Sequence, residues 1–144
     1  MVERLSPTVS MFVAYRSAEN RVFADLRAAG FDDLTLQQAR VVARLAPDGI
    51  RLTDLAEQTQ VTKQTATHLV DQLERSGYVR RVPDPADGRG RLVQIADRGR
   101  LALEVAAAAD RAIVREWTAH LGADRMREFR KSLAMLREIT DPYQ

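Results

Sequence analysis

The chain has 144 residues, 45% of them hydrophobic and 29% charged, with no cysteine. That length suits one compact domain with a real core rather than two, and the missing cysteines exclude disulfides, thiolate zinc sites and cysteine redox sensing. The net charge of +2 is too small by itself to indicate a polyanionic partner, so where the charge sits matters more than its sum.

Residues 8–29 place Val9, Phe12, Val13, Phe23 and Leu26 at helical spacing, with Arg16, Glu19, Arg21 and Arg27 on other faces, and Gly30 supplies a stop. The longest uncharged run, Leu5 to Tyr15, is too short to cross a bilayer and lacks the basic lead-in and cleavage site of a secretory signal. A cytoplasmic chain with no membrane partner is therefore expected. Thr35 followed by Gln38 has the spacing of a capping box, predicting a second helix from Leu36 to about Ala46, behind which Pro47, Asp48 and Gly49 mark a turn. Thr53 is placed to cap a short helix through Gln58. Thr62 is placed to cap another that turns Ala66, Leu69, Val70 and Leu73 inward before Gly77.

From Tyr78 the pattern changes. Val79 and Val82 flank Arg80 and Arg81, Pro83 to Arg91 reads as loop, and Leu92, Val93 and Ile95 read as a returning strand. A long alanine-rich helix follows over 98–121, with Leu101, Val105, Ala109, Ile113, Trp117 and Leu121 about four residues apart. After Gly122, residues 124–140 carry a narrow seam of Met126, Phe129, Leu133 and Leu136. The predicted class is mainly α with a small β-hairpin wing: a winged helix-turn-helix over 35–97, flanked by an N-terminal dimerisation helix in 1–34 and C-terminal dimerisation helices in 98–144.

In such a unit Leu55, Ala56, Val61, Ala66 and Leu69 pack two helices together, leaving Lys63, Gln64, Thr65, Thr67 and His68 on an outer face. Amide, hydroxyl and cationic groups of this kind suit base edges, although a short solvated helix face has the same composition. The hairpin weighs toward nucleic acid. Between Arg80 and Arg100 six arginines face three aspartates, an excess greater than that of the whole chain. A loop holding Arg89 between Gly88 and Gly90 is thin enough to enter a minor groove about 6 Å wide, and Asp87 is placed to aim that arginine by an ion pair.

Residues 52–99 resemble the winged-helix core of MarR-type bacterial transcriptional regulators. The most specific piece runs Leu73-Glu74-Arg75-Ser76-Gly77-Tyr78-Val79-Arg80-Arg81, then Asp84-Pro85-Ala86-Asp87-Gly88-Arg89, then Leu92-Val93. The flanking helices fit that family in length and position. The resemblance implies a homodimer with interlocked terminal helices, set on a pseudopalindromic double-stranded operator and acting as a repressor. It puts Arg89 in the minor groove, with Asp87 before it, and the base-reading positions on Gln64, Thr65 and His68. The expected DNA-binding set is Thr62, Lys63, Gln64, Thr65, Thr67, His68, Asp87, Arg89 and Arg91. Such proteins often take a small phenolic or aromatic effector between the dimerisation helices and the winged unit, where Met11, Tyr15 and Arg16 would contribute.

Three positions depart from the family pattern. Gln60 stands where the turn usually has glycine, Gly88 and Gly90 replace arginine and a small residue in the wing, and Ala96 replaces a capping threonine, a role left to Asp97. Apolar terminal helices also argue for a dimer without the family, since one small core cannot cover them all. Enzyme chemistry finds no support: His68 and His120 have no metal-ligand spacing, Asp84 to Arg91 fails as a calcium loop because Ala86 and Gly88 lack side-chain oxygens, and no glycine pattern cradles a phosphate. No cofactor or metal is expected. The alternative from another class is a winged adaptor that recognises protein rather than DNA.

Overall fold

A computed structural model describes residues 4–143; positions 1–3 and 144, at the far ends of the two expected dimerisation segments, lie outside it. The elements are α1 (Pro7–Ala28), α2 (Leu36–Ala43), β1 (Ile50–Arg51), α3 (Leu52–Thr59), α4 (Lys63–Arg75), β2 (Val79–Asp84), β3 (Asp87–Ile95), α5 (Asp97–Leu121) and α6 (Ala123–Thr140). The fold is a helix-turn-helix and a three-stranded antiparallel sheet of order β1-β3-β2, set among longer helices.

The caps at Thr35 and Thr62 form as the sequence requires. Thr35 accepts from the Gln38 amide at 3.2 Å while the Gln38 side chain accepts from the Thr35 amide at 3.0 Å, and Thr62 accepts from the Thr65 amide at 3.1 Å. Gln60 ends α3 in the left-handed region, φ 56°, where a side chain is strained and glycine is not. The core joins both halves of the chain: Leu26 and Leu34, then Val41 and Val42, then Leu55, Leu69, Val70 and Leu73, then Tyr78, Val79, Val93 and Ala102.

Four local expectations are corrected. Helix α2 stops at Ala43, short of Ala46. Thr53 does not cap α3, because Ile50 and Arg51 pair with Val93 and Leu92 and the helix begins directly from that strand at Leu52, with no side-chain cap. A two-residue strand has no periodicity to betray it. The stretch Pro83 to Arg91 is not loop: Pro83 lies opposite Arg91 and Asp84 opposite Asp87, leaving Pro85 and Ala86 as the turn. Pro83 is tolerated because β2 is an edge strand, where a missing N–H costs no ladder bond. Finally, Asp97 does not cap α5. Ala96 is the N-cap residue without a side-chain bond, its amide donates to the Tyr78 carbonyl at 2.9 Å, and Asp97 ion-pairs with Arg100.

The start of α5 is held by close approach. A Cβ on Gly99 would lie 2.2 Å from the Tyr78 carbonyl oxygen and 2.4 Å from Ile95 Cδ1, so only glycine lets the helix seat on the root of the hairpin. Beside it the buried Tyr78 donates its hydroxyl to Asp33, and Arg98 bonds Asp33 at 2.8 and 3.1 Å and the Ser76 carbonyl at 2.8 Å, with its guanidinium 4.5 Å from the Tyr78 ring centre. Burial works against the Asp33 charge, but the bonds from Tyr78 and Arg98 hold its carboxyl below the usual range. This cluster ties the α1–α2 connection to the hairpin root.

Candidate nucleic-acid interface

Helix α4 turns Ala66, Leu69, Val70 and Leu73 into the core, which leaves Lys63, Gln64 and His68 exposed on the outside. Gln64 and His68, four residues apart, share one face. Thr62 and Thr65 are joined hydroxyl to hydroxyl at 3.0 Å, and the half-buried Thr67 donates its hydroxyl to the Lys63 carbonyl at 2.8 Å. The threonines are thus partly occupied by their own helix, whereas the side chains of Lys63, Gln64 and His68 stand exposed.

The wing sorts its arginines. Arg81 is bound to Asp71 at 2.6 Å and Glu74 at 2.9 Å, Arg98 to Asp33, and Arg100 to Asp97. Half of the six arginines counted in the sequence are therefore neutralised by carboxylates. Among the described residues Arg80 reaches only Gln94, at 3.3 Å. Among the described residues the side chains of Arg89 and Arg91 have no partner, and both are exposed. Asp87 does not pair with the Arg89 guanidinium as the sequence suggested: one oxygen accepts from the Arg89 backbone amide at 3.1 Å and the other faces Arg51 at 3.2 Å.

Arg51, which the sequence did not single out, is tied to the wing turn. It stands at the end of β1 and reaches Asp84 through two nitrogens, at 2.9 and 2.7 Å. Its partners lie 33 and 36 positions away, so no local pattern could have shown them. A hollow of about 280 Å³ opens between α4 and the wing, walled by Arg51, Lys63, Arg81 and Arg91 together with Thr53 and Gly90.

A larger cavity involves α2. A cleft of about 470 Å³ runs between α1, α2, α5 and α6, lined mostly by apolar side chains including Met11, Tyr15, Phe23, Trp117 and Phe129. Its polar lining is Asp110 and the pair of Glu19 with Arg40, bonded at 3.1 and 2.9 Å, and Tyr15 donates to Glu19 at 2.9 Å. The bond from Arg40 outweighs burial and holds the Glu19 carboxyl below the usual range. Of the three residues expected there, Met11 and Tyr15 line the cleft; Arg16 does not, and Arg40 takes that place.

Helices α3 and α4 followed by an arginine-tipped hairpin define the winged helix-turn-helix class. Residues 32–90 match the model of the MarR family, and a curated relative from Rhodopseudomonas palustris, the transcriptional activatory protein BadR, is 36% identical over 100 residues. The segment 32–90, which holds the helix-turn-helix and most of the wing, thus belongs to the MarR family. The match covers 67% of this chain but 57% of that relative, so the chain spans little more than half of the relative's length. Among solved structures, a point mutant of MepR from a multidrug-resistant S. aureus clinical isolate superposes with a TM-score of 0.77 at 18% identity, covering 96% of this chain and all of that one. A different S. aureus MepR point mutant, bound to an oligodeoxyribonucleotide, gives 0.61 at 18% identity, covering 95% and 100%. These two likenesses establish the fold.

Proposed function

We propose that this chain is a sequence-specific DNA-binding transcriptional regulator that works as a homodimer and represses by occupying a promoter. The observation that carries the reading is the pairing of an uncovered Gln64/His68 face on α4 with a wing tip whose Arg89 has no partner among the described residues. Amide and imidazole groups read base edges in the major groove, while an unpaired arginine on a thin ribbon fits the narrow minor groove. The oligonucleotide in the DNA-bound MepR structure supports the same use of the fold.

The dimer rests on uncovered apolar surface. Phe12 and Val13 on α1 and Met135 and Ile139 on α6 are all more than half exposed, Ile139 at 84%, and a second copy related by a twofold axis covers both helices at once. Two recognition helices one turn apart, roughly 34 Å, then require an inverted-repeat operator. In the cleft, an aromatic or phenolic anion would lay its ring against the apolar wall and exchange its charge with Glu19 on Arg40, biasing the dimer away from DNA.

The test is fluorescence anisotropy, at stated salt, with duplexes covering the DNA upstream of the chain's own gene. A discrete complex is expected, and Arg89→Ala should weaken it and lower its salt dependence by about one counterion. An unchanged slope refutes the wing assignment, and no complex with any duplex leaves the adaptor reading. A thermal shift with millimolar phenolic acids tests the cleft. Activation is the second reading, favoured by the likeness to BadR, a transcriptional activatory protein; a promoter-reporter fusion with and without the chain decides the sign.

A further inference from the structure

We infer that Arg51 is a positioning residue that clasps the wing turn and so fixes how Arg89 is presented, an inference that rests on the DNA-binding reading above. Arg51 leaves β1 where that strand pairs with Leu92 of β3, on the opposite side of β3 from β2. From there its guanidinium spans the sheet to both carboxylates of the turn, taking Asp84 through two nitrogens at 2.9 and 2.7 Å and Asp87 at 3.2 Å.

Each carboxylate uses its other oxygen on the turn backbone. Asp84 accepts from the Ala86 amide at 2.9 Å, and Asp87 accepts from the Arg89 amide at 3.1 Å. One cation thus holds two anions, and those anions hold the two amides that shape the tip. Asp84 is buried, at 8% exposure, so its charge needs a partner in place. Planar guanidinium geometry suits this task because its fork meets two oxygens at once, which an ammonium on a flexible stem does not do.

Gly90 completes the device. A Cβ there would sit 3.1 Å from Arg51 Nη2 and 3.5 Å from Asp84 Cβ, so the glycine leaves the lane through which the guanidinium reaches the turn. The absence of a side chain at 90, which in isolation loosens a strand, here accommodates a clasp that tightens it. Charge points the same way. With Arg51 in place, Asp84 and Asp87 are answered, and Arg89 and Arg91 meet a polyanion without two bare carboxylates beside them.

The test compares wild type, Arg51→Ala, Arg51→Lys, Arg89→Ala and the Arg51→Ala/Arg89→Ala double variant. In the free proteins, amide hydrogen exchange read by NMR at Ala86 and Arg89 should speed in Arg51→Ala by roughly tenfold more than it does at the core amides of α4. On the upstream duplex, Arg51→Ala should weaken binding roughly tenfold, and the double variant should bind within about twofold of Arg89→Ala alone, because the two residues act through one tip. Arg51→Lys should stay near Arg51→Ala in both measurements, since it keeps the charge without the fork. Unchanged exchange at Ala86 and Arg89 overturns the clasp. So do losses that multiply in the double variant, which would make Arg51 a separate phosphate contact. If wild type binds no duplex at all, the DNA-binding reading fails on that result, while the exchange rates still decide whether Arg51 holds the turn.

Discussion

Gly99→Ala is a severe test of how the wing is attached, because two rules oppose each other there. Gly99 is the third residue of α5, and replacing a helical glycine by alanine normally gains about 1 kcal/mol from propensity. The added Cβ, however, would stand 2.2 Å from the Tyr78 carbonyl oxygen and 2.4 Å from Ile95 Cδ1. Unbonded carbon and oxygen need roughly 3.3 Å, so helix and hairpin root must part by about 1 Å in a close-packed region. The side chain of Ile95 has room to turn, but the carbonyl is backbone and already accepts from the Ala96 amide at 2.9 Å. Overpacking of this kind costs about 2–3 kcal/mol and the weakened hydrogen bond about 1 more. After the propensity gain the net loss is about 2–3 kcal/mol, or roughly 5–10 °C in melting temperature for a domain of this size. Circular dichroism melts at fixed protein concentration measure it. Gly88→Ala is the control, since nothing lies within 4 Å of a Cβ there, and it should change stability by less than about 0.5 kcal/mol. A Gly99→Ala melting temperature equal to or above wild type would show that the hairpin root is not packed against α5 as described.

Other perturbations separate the remaining contributions. Burial, then the neighbouring Asp33 carboxylate, pushes the Tyr78 hydroxyl well above the ordinary phenol value. Its protonated form is thus favoured by the fold: this stability is fully present below a pH of about 10 and is lost as pH rises through the folded value. Urea melts between pH 8 and 11 should show that decline, and Tyr78→Phe should lose about 2 kcal/mol at neutral pH and flatten it; a slope identical in the two proteins refutes the assignment. Gln60→Gly should raise stability by about 0.5 kcal/mol by relieving the left-handed backbone, and a loss would mean that the glutamine side chain contributes more than its backbone costs. Thr62→Ala removes the acceptor for the Thr65 amide and should cost about 1 kcal/mol in the same melts, whereas Thr62→Asn should hold near wild type.

What was legible in the sequence had local causes. The Thr35 and Thr62 caps and the inward row of α4 each depend on residues within about seven positions of one another, and the structure bears them out. The wing sequence Asp84 to Arg89 was legible for a different reason, as a family pattern rather than from periodicity. Contacts that close over long distances were not: the pairing of Ile50 with Val93, the packing of Gly99 on Tyr78, and the reach of Arg51 to Asp84. The loop expected from Pro83 to Arg91 fails at Pro83 because proline breaks a ladder in a central strand and not in an edge strand such as β2, a position that no local pattern reveals.

The same distinction bears on charge. In the sequence, all six arginines from 80 to 100 contribute equally to a basic segment. In the fold, Arg81 fastens the hairpin to α4 through Asp71 and Glu74, and Arg98 fastens its root to Asp33, so these cations are committed to architecture before any ligand arrives. Arg89 and Arg91, at the far end, are left without partners among the described residues. A polyanion approaching this hairpin therefore meets its unneutralised charge at the tip and along β3, while the paired arginines hold the ribbon still. Net charge counts both groups alike, but only the unpaired ones release counterions on binding, which is why salt dependence should respond to Arg89 and not to Arg98.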